Sequence, residues 1–169
     1  MGEKKVRGVK RKFNNMIKRI EENTLEFPTE FHNGYWHLHL PVAQNFLSSD
    51  KTPKQIKRLC IQILLYRAEH LIGLKPNDKE NYRVVVAVDV PALWGSQIIV
   101  FKGDSHFKDF FNRKDEYQKW LHLSGDRNIQ TEWGLSVPPD LQILGFKEVI
   151  TDEDGYQYGG EIWFIGELI

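Results

Sequence analysis

Apolar residues recur every three or four positions between Lys4 and Glu22, at Val6, Val9, Phe13, Met16, Ile17 and Ile20. That period predicts an amphipathic first helix. Its other face carries Lys4, Lys5, Lys10, Arg11, Lys12, Lys18 and Arg19. Gly8 weakens the opening turn, so residues 1–8 are expected to fray.

The next pattern is an alternation, "WHLHL" at 36–40, with Trp36, Leu38 and Leu40 on one side and His37 and His39 on the other. Such a period of two predicts a strand with one face inward, ended or marked as an edge by Pro41. A second helix is predicted from Pro53 to about Ile72. Thr52 supplies its N-cap, Pro53 its first position and Gln55 a capping box, while Gly73 and Pro76 close it. Ile56, Leu59, Cys60, Ile63, Leu64 and Leu71 form its apolar stripe, and the next inward place on that stripe falls at Arg67.

"YRVVVAVDV" at 82–90 is apolar at odd and even positions alike, the signature of a central strand covered on both faces. "SQIIVF" at 96–101 reads as a further strand, joined to it through "PALWG". Residues 105–121 suggest one or two short helices, "SHFKDFF" and "EYQKWL". Strands are then expected at "TEWGLSV", "GFKEVIT" and "EIWFIGEL", the last two flanking the turn "DEDGYQYGG". The chain is therefore read as one α+β domain over 1–169. Two helices in its N-terminal half pack on a mixed, largely antiparallel sheet that ends in a C-terminal β-meander.

Composition narrows the function classes. The 169 residues hold 23 basic and 23 acidic side chains, so no global field draws the chain to nucleic acid or to an anionic membrane. No apolar run reaches the roughly 18 residues of a membrane span, and no apolar segment follows the charged N-terminus as a secretory signal requires. Cys60 is alone, which excludes an intramolecular disulfide and suits a reducing compartment. A cytoplasmic protein is expected. The basic face of the first helix is read as solvated, because interleaved aromatics and a DNA-reading motif are lacking.

The candidate chemistry begins with His37 and His39. Side chains at i and i+2 of a strand stand roughly 6.5–7 Å apart, close enough to share a metal ion if a third ligand joins them. His32, His70, His106 and His122 are scattered and Cys60 is alone, so no metal and no cofactor are expected. The pair is instead the polar face of a half-buried strand, or one wall of a ligand pocket.

An arginine at position 67 facing a core requires an anion, from Glu148, Glu161, Asp89 or a bound ligand. Gln97 shares a strand face with Ile99 and Phe101, and Trp94 precedes it in the turn. On "EIWFIGEL", Glu161, Trp163 and Glu167 share one face, an aromatic between carboxylates of the kind partner surfaces use. The acidic turn imitates a calcium loop, with Asp152, Asp154, Gly155 and Glu161 at its third, fifth, sixth and twelfth positions. Ile150 at the first position and strand-like flanks speak for a hairpin with an Asp-Gly turn instead.

"HLHL" at 37–40 and "HLSG" at 122–125 resemble the paired motifs of two-histidine phosphoesterases, in which two His-x-Thr/Ser strands supply base and acid. His122 fits that pattern, but neither His37 nor His39 is followed at the second position by Thr or Ser. Across the chain, "RGVKRKFNNMIKRIEE", "GYWHLHLPVAQNFL", "RAEHLI", "PALWGSQIIVFKG", "NIQTEWGLSVP" and "GEIWFIGEL" resemble a family of small bacterial proteins classed as a domain of unknown function. The resemblance implies a bacterial or phage-related cytoplasmic protein and carries over no activity, cofactor or catalytic residue.

Two functions remain. The first is a non-enzymatic binding protein, such as an immunity protein or inhibitor in bacterial or phage conflict, with a toxin or effector as its protein partner. The second is a binder of a small phosphorylated, anionic ligand, or a two-histidine-like phosphodiesterase, using His37, His39, Arg67, Gln97 and His122. Convergence of His37, His39, Arg67 and Gln97 in one cleft favours the second, and their dispersal favours the first. Trp36, Trp94, Glu161 and Trp163 complete the candidate binding set.

Overall fold

The computed structural model describes residues 4–22, 24–39, 52–90, 95–105, 107, 129–147, 150–151, 154–155, 157–158 and 162–167. Helix α1 spans Lys4–Glu22, the limits its apolar period sets, and buries Phe13 and Met16. Strand β1 is Tyr35–His39, helix α2 Lys54–Gly73, strand β2 Tyr82–Val90 and strand β3 Gly95–Lys102. A short helix α3, Ile129–Trp133, precedes β4 (Gln142–Lys147), β5 (Ile150–Thr151), β6 (Gln157–Tyr158) and β7 (Ile162–Gly166).

Five strands form one sheet in the order β1-β3-β2-β7-β4, and every pairing in it is antiparallel. The α+β expectation holds, with the helices mostly in the N-terminal half. β2 is central, and Val84, Val85, Val86, Ala87 and Val88 are all buried, as a strand apolar on both faces must be. The C-terminal strands are not a simple meander. β4 pairs with β7, and the connection between them carries a separate β5–β6 ladder that pairs Ile150 with Tyr158 and Thr151 with Gln157. The β5–β6 ladder flanks Asp154-Gly155, where Gly155 takes φ +84°, as the expected Asp-Gly hairpin turn requires.

Helix α2 covers the sheet face made by Val84, Val86, Val88, Ile98, Val100, Trp163 and Ile165. It turns Cys60, Ile61, Leu64, Leu65, Ala68 and Leu71 inward. The apolar stripe is thus rotated by one position from the one the sequence suggests. From Leu64 and Leu65 the common next step of four or three residues is Ala68, and Arg67 falls on the margin, half-buried. The capping reading is also corrected. Pro53 occupies the N-cap with no side-chain cap bond, its carbonyl accepts from Ile56 and Lys57 N–H, and Thr52 is buried one residue earlier. With φ fixed near −57°, proline can end the extended approach and start the helix by itself.

"TEWGLSV" is not a strand. Ile129–Trp133 is helical, Gly134 takes φ +63°, and residues 135–138 belong to no helix or strand. There Gln62 Nε2 donates to Ser136 O at 2.7 Å while Ser136 N donates to Gln62 Oε1 at 2.8 Å. This two-point bond sets Trp133 edge-on against Trp163, ring centroids 4.8 Å apart. Of the stretch 105–121, Ser105 and Phe107 are helical, and the remainder lies outside the described residues, as does most of the "PALWG" turn. No helix among the described residues is long and apolar enough to cross a membrane.

Candidate functional site

Asn33 and Gly34 have φ +52° and +83°, the left-handed pair of a two-residue hairpin turn. His32 N donates to Tyr35 O at 3.0 Å and Tyr35 N to His32 O at 3.2 Å. That bridge is isolated: beyond it the two arms part, and residues 26–31 leave the edge of β1 while Phe27 and Phe31 pack on the Tyr82 ring at 5.0 and 5.6 Å. The wedge between the arms is an open groove of about 860 Å³, lined by aromatic residues of both arms together with Glu26, Glu30 and His37. Glu26 and Glu30 are exposed, and no Lys or Arg contributes to the described lining.

β1 is an edge strand whose inner side pairs with β3, Trp36 opposite Val100 and His37 opposite Ile99. Trp36 and Leu38 are half-buried against the α2-side core, while His37 and His39 are exposed. The alternation predicted from "WHLHL" is therefore correct. The two imidazoles stack with centroids 5.8 Å apart and planes 20° from parallel, and Tyr35 meets His37 edge-on at 4.8 Å. Partial burial and the neighbouring His39 lower the pKa of His37, and a side-chain hydrogen bond with Gln97 works against them. Gln97, opposite His39 on β3, is 1 % exposed. Tyr35, His37, His39 and Gln97 thus form one polar edge on the sheet face opposite α2.

Arg67 does not join them. It belongs to α2, on the other side of the sheet, where partial burial lowers its pKa. Trp163 is buried to 1 % and faces the α2-side core beside Ile165, so it is not the outward aromatic the strand alternation suggested. Glu167, expected on the same outward face, is instead a structural anchor. It pairs with Lys75 and accepts Val84 N–H at 2.6 Å. Trp94, Glu161, Glu148 and His122 lie outside the described residues. Among the described residues no three His, Cys, Asp or Glu side chains are placed to hold a metal ion. Cys60 is fully buried, and its thiol is pushed up to about 12 by that burial, which leaves no thiolate for chemistry at neutral pH.

The groove itself was missed in the sequence, although its signal was present: Asn33-Gly34 is the strongest short hairpin signature, placed directly before the alternating strand. Chemically the groove offers aromatic faces, two carboxylates and a strand edge that pairs with no further strand among the described residues, a combination suited to a cationic or peptide ligand more than to an anion.

No curated protein and no solved structure matches the chain. The sequence model of the family described as "Protein of unknown function (DUF3916)" matches residues 17–167. The chain is a member of that family.

Proposed function

We propose that the protein is a binding protein that engages a protein partner through the groove beside β1, acting as an immunity-type or inhibitor protein in bacterial or phage conflict and working in the cytoplasm. The observation that carries this reading is the groove: an aromatic cleft at an edge strand, with Glu26 and Glu30 exposed at its side. The phosphorylated-ligand alternative loses its clamp, because Arg67 stands across the sheet from His37, His39 and Gln97. The charged residues in the groove's described lining are the carboxylates Glu26 and Glu30, which repel a phosphate.

Co-purification of the tagged chain with the products of its flanking genes tests the reading. One product should form a stoichiometric complex and lose its toxicity. Filling the groove at an exposed position, Thr29→Trp, should weaken that complex. Turnover of a phosphodiester abolished by His37→Ala, with no complex formed, would contradict the proposal.

A further inference from the structure

The edge of β1 has a directionality that the groove shares. Lys102 N donates to Gly34 O at 2.8 Å, so residues 34 and 102 are a hydrogen-bonded pair. In an antiparallel ladder such pairs alternate. Trp36 and Leu38 therefore face β3 with their backbone groups, while Tyr35, His37 and His39 direct theirs outward. Those of Tyr35 are taken by His32. Those of His37 and His39 have no backbone partner among the described residues, and His37 lies in the groove wall. An open edge of this kind is a template for an added strand.

We infer that the groove accepts an extended, arginine- or lysine-bearing segment of a partner protein, which pairs with the outer edge of β1 at His37 and His39 and places its cation between Glu26 and Glu30 and the aromatic rings. This rests on the protein-binding reading and names the partner's chemistry. Charge selects the occupant, because the described lining holds two exposed carboxylates and no Lys or Arg. Phe27, Phe31, Tyr35 and Trp36 add ring faces, on which a guanidinium stacks better than any other side-chain head. Among the described residues the basic helix α1 is not extended and does not supply the strand.

The test is a backbone NMR titration with three blocked hexapeptides. The first alternates arginine and valine, the second alternates glutamate and valine, and the third is the arginine peptide with its alternate amides N-methylated. The arginine peptide should bind saturably and shift the amides of His37 and His39. N-methylation on the pairing edge should weaken binding at least tenfold, as should the double variant Glu26→Gln, Glu30→Gln. The glutamate peptide should not bind. Equal binding of the glutamate peptide, equal binding of the methylated peptide, or no shift in β1 with any peptide overturns the inference. So does self-association of the chain through these same amides. If the peptides leave β1 unmoved while Thr29→Trp still breaks the partner complex, strand addition fails and the protein-binding reading survives. If the arginine peptide binds as described but no flanking product forms a complex, the reverse holds.

Discussion

Glu167 holds Val84 at both ends of its peptide hydrogen bonding: the carboxylate accepts Val84 N–H at 2.6 Å, and Glu167 N donates to Val84 O at 3.1 Å. The same carboxylate pairs with Lys75, so one residue after β7 ties the start of the central strand to the chain leaving α2. A charge-assisted bond to a buried N–H is worth more than a neutral one. Glu167→Ala leaves Val84 N–H unpaired and should cost about 1–3 kcal/mol, read as a lower denaturant midpoint. An unchanged midpoint would show the contact to be incidental.

Gly166, one residue earlier, lies where β7 crosses β2 closely. A Cβ there would lie 2.8 Å from Val85 Cγ2 and 3.1 Å from Val84 O. Both are fixed, one by β-branching and the other by the sheet. Gly166→Ala should therefore destabilise the fold by about 1–3 kcal/mol, as overpacking does. A neutral result in thermal denaturation would mean the two strands can separate without cost.

The register of α2 has its own test. Ala68 is fully buried and Arg67 half-buried. Ala68→Leu should cost about 1–3 kcal/mol by overpacking, and Arg67→Leu should cost less. The opposite order in the two unfolding midpoints would restore Arg67 to the inward stripe.

These positions show what could be read from the sequence. α1, β2 and β3 were legible because their apolar periods are long and unbroken, and the strand alternation placed His37 and His39 outward correctly. For α2 the limits were nearly right, but its face was one step off. Ile56, Leu59 and Ile63 are apolar yet only partly buried, so counting apolar residues does not distinguish the helix flank from its centre. Trp163 misled in the same way, because alternation cannot say which side of a two-sided sheet meets solvent. The groove was not legible from periodicity, since it arises where two hairpin arms part and depends on Phe27 and Phe31 packing on a strand some fifty residues away.

Cys60 should be unreactive in the folded protein, with its thiol pushed up to about 12 by burial. Aromatic disulfide reagents should label it only in denaturant, in step with global unfolding. Rapid labelling of the native chain would show that α2 opens locally.

His37 gives a pH dependence of known sign. Its folded pKa is lowered, chiefly by desolvation and then by His39, so the unfolded chain binds the proton first, near pH 6.5. Stability is therefore complete above that pH, and it falls as the pH drops from about 6.5 toward the folded value. Because the ring is exposed, the effect should be small. His37→Gln should reduce the loss of thermal midpoint between roughly pH 7.5 and 5.5. An identical pH profile in the variant would remove His37 from the account.

The central claim, that β1 offers an open edge to a cationic partner strand, is met most directly by amide hydrogen exchange at His37 and His39. In the free protein both amides should exchange far faster than those of Trp36 and Leu38, which face β3. With saturating arginine–valine peptide both should slow at least tenfold. Slow exchange at His37 and His39 in the free chain would contradict the claim, because it would mean the edge is already paired.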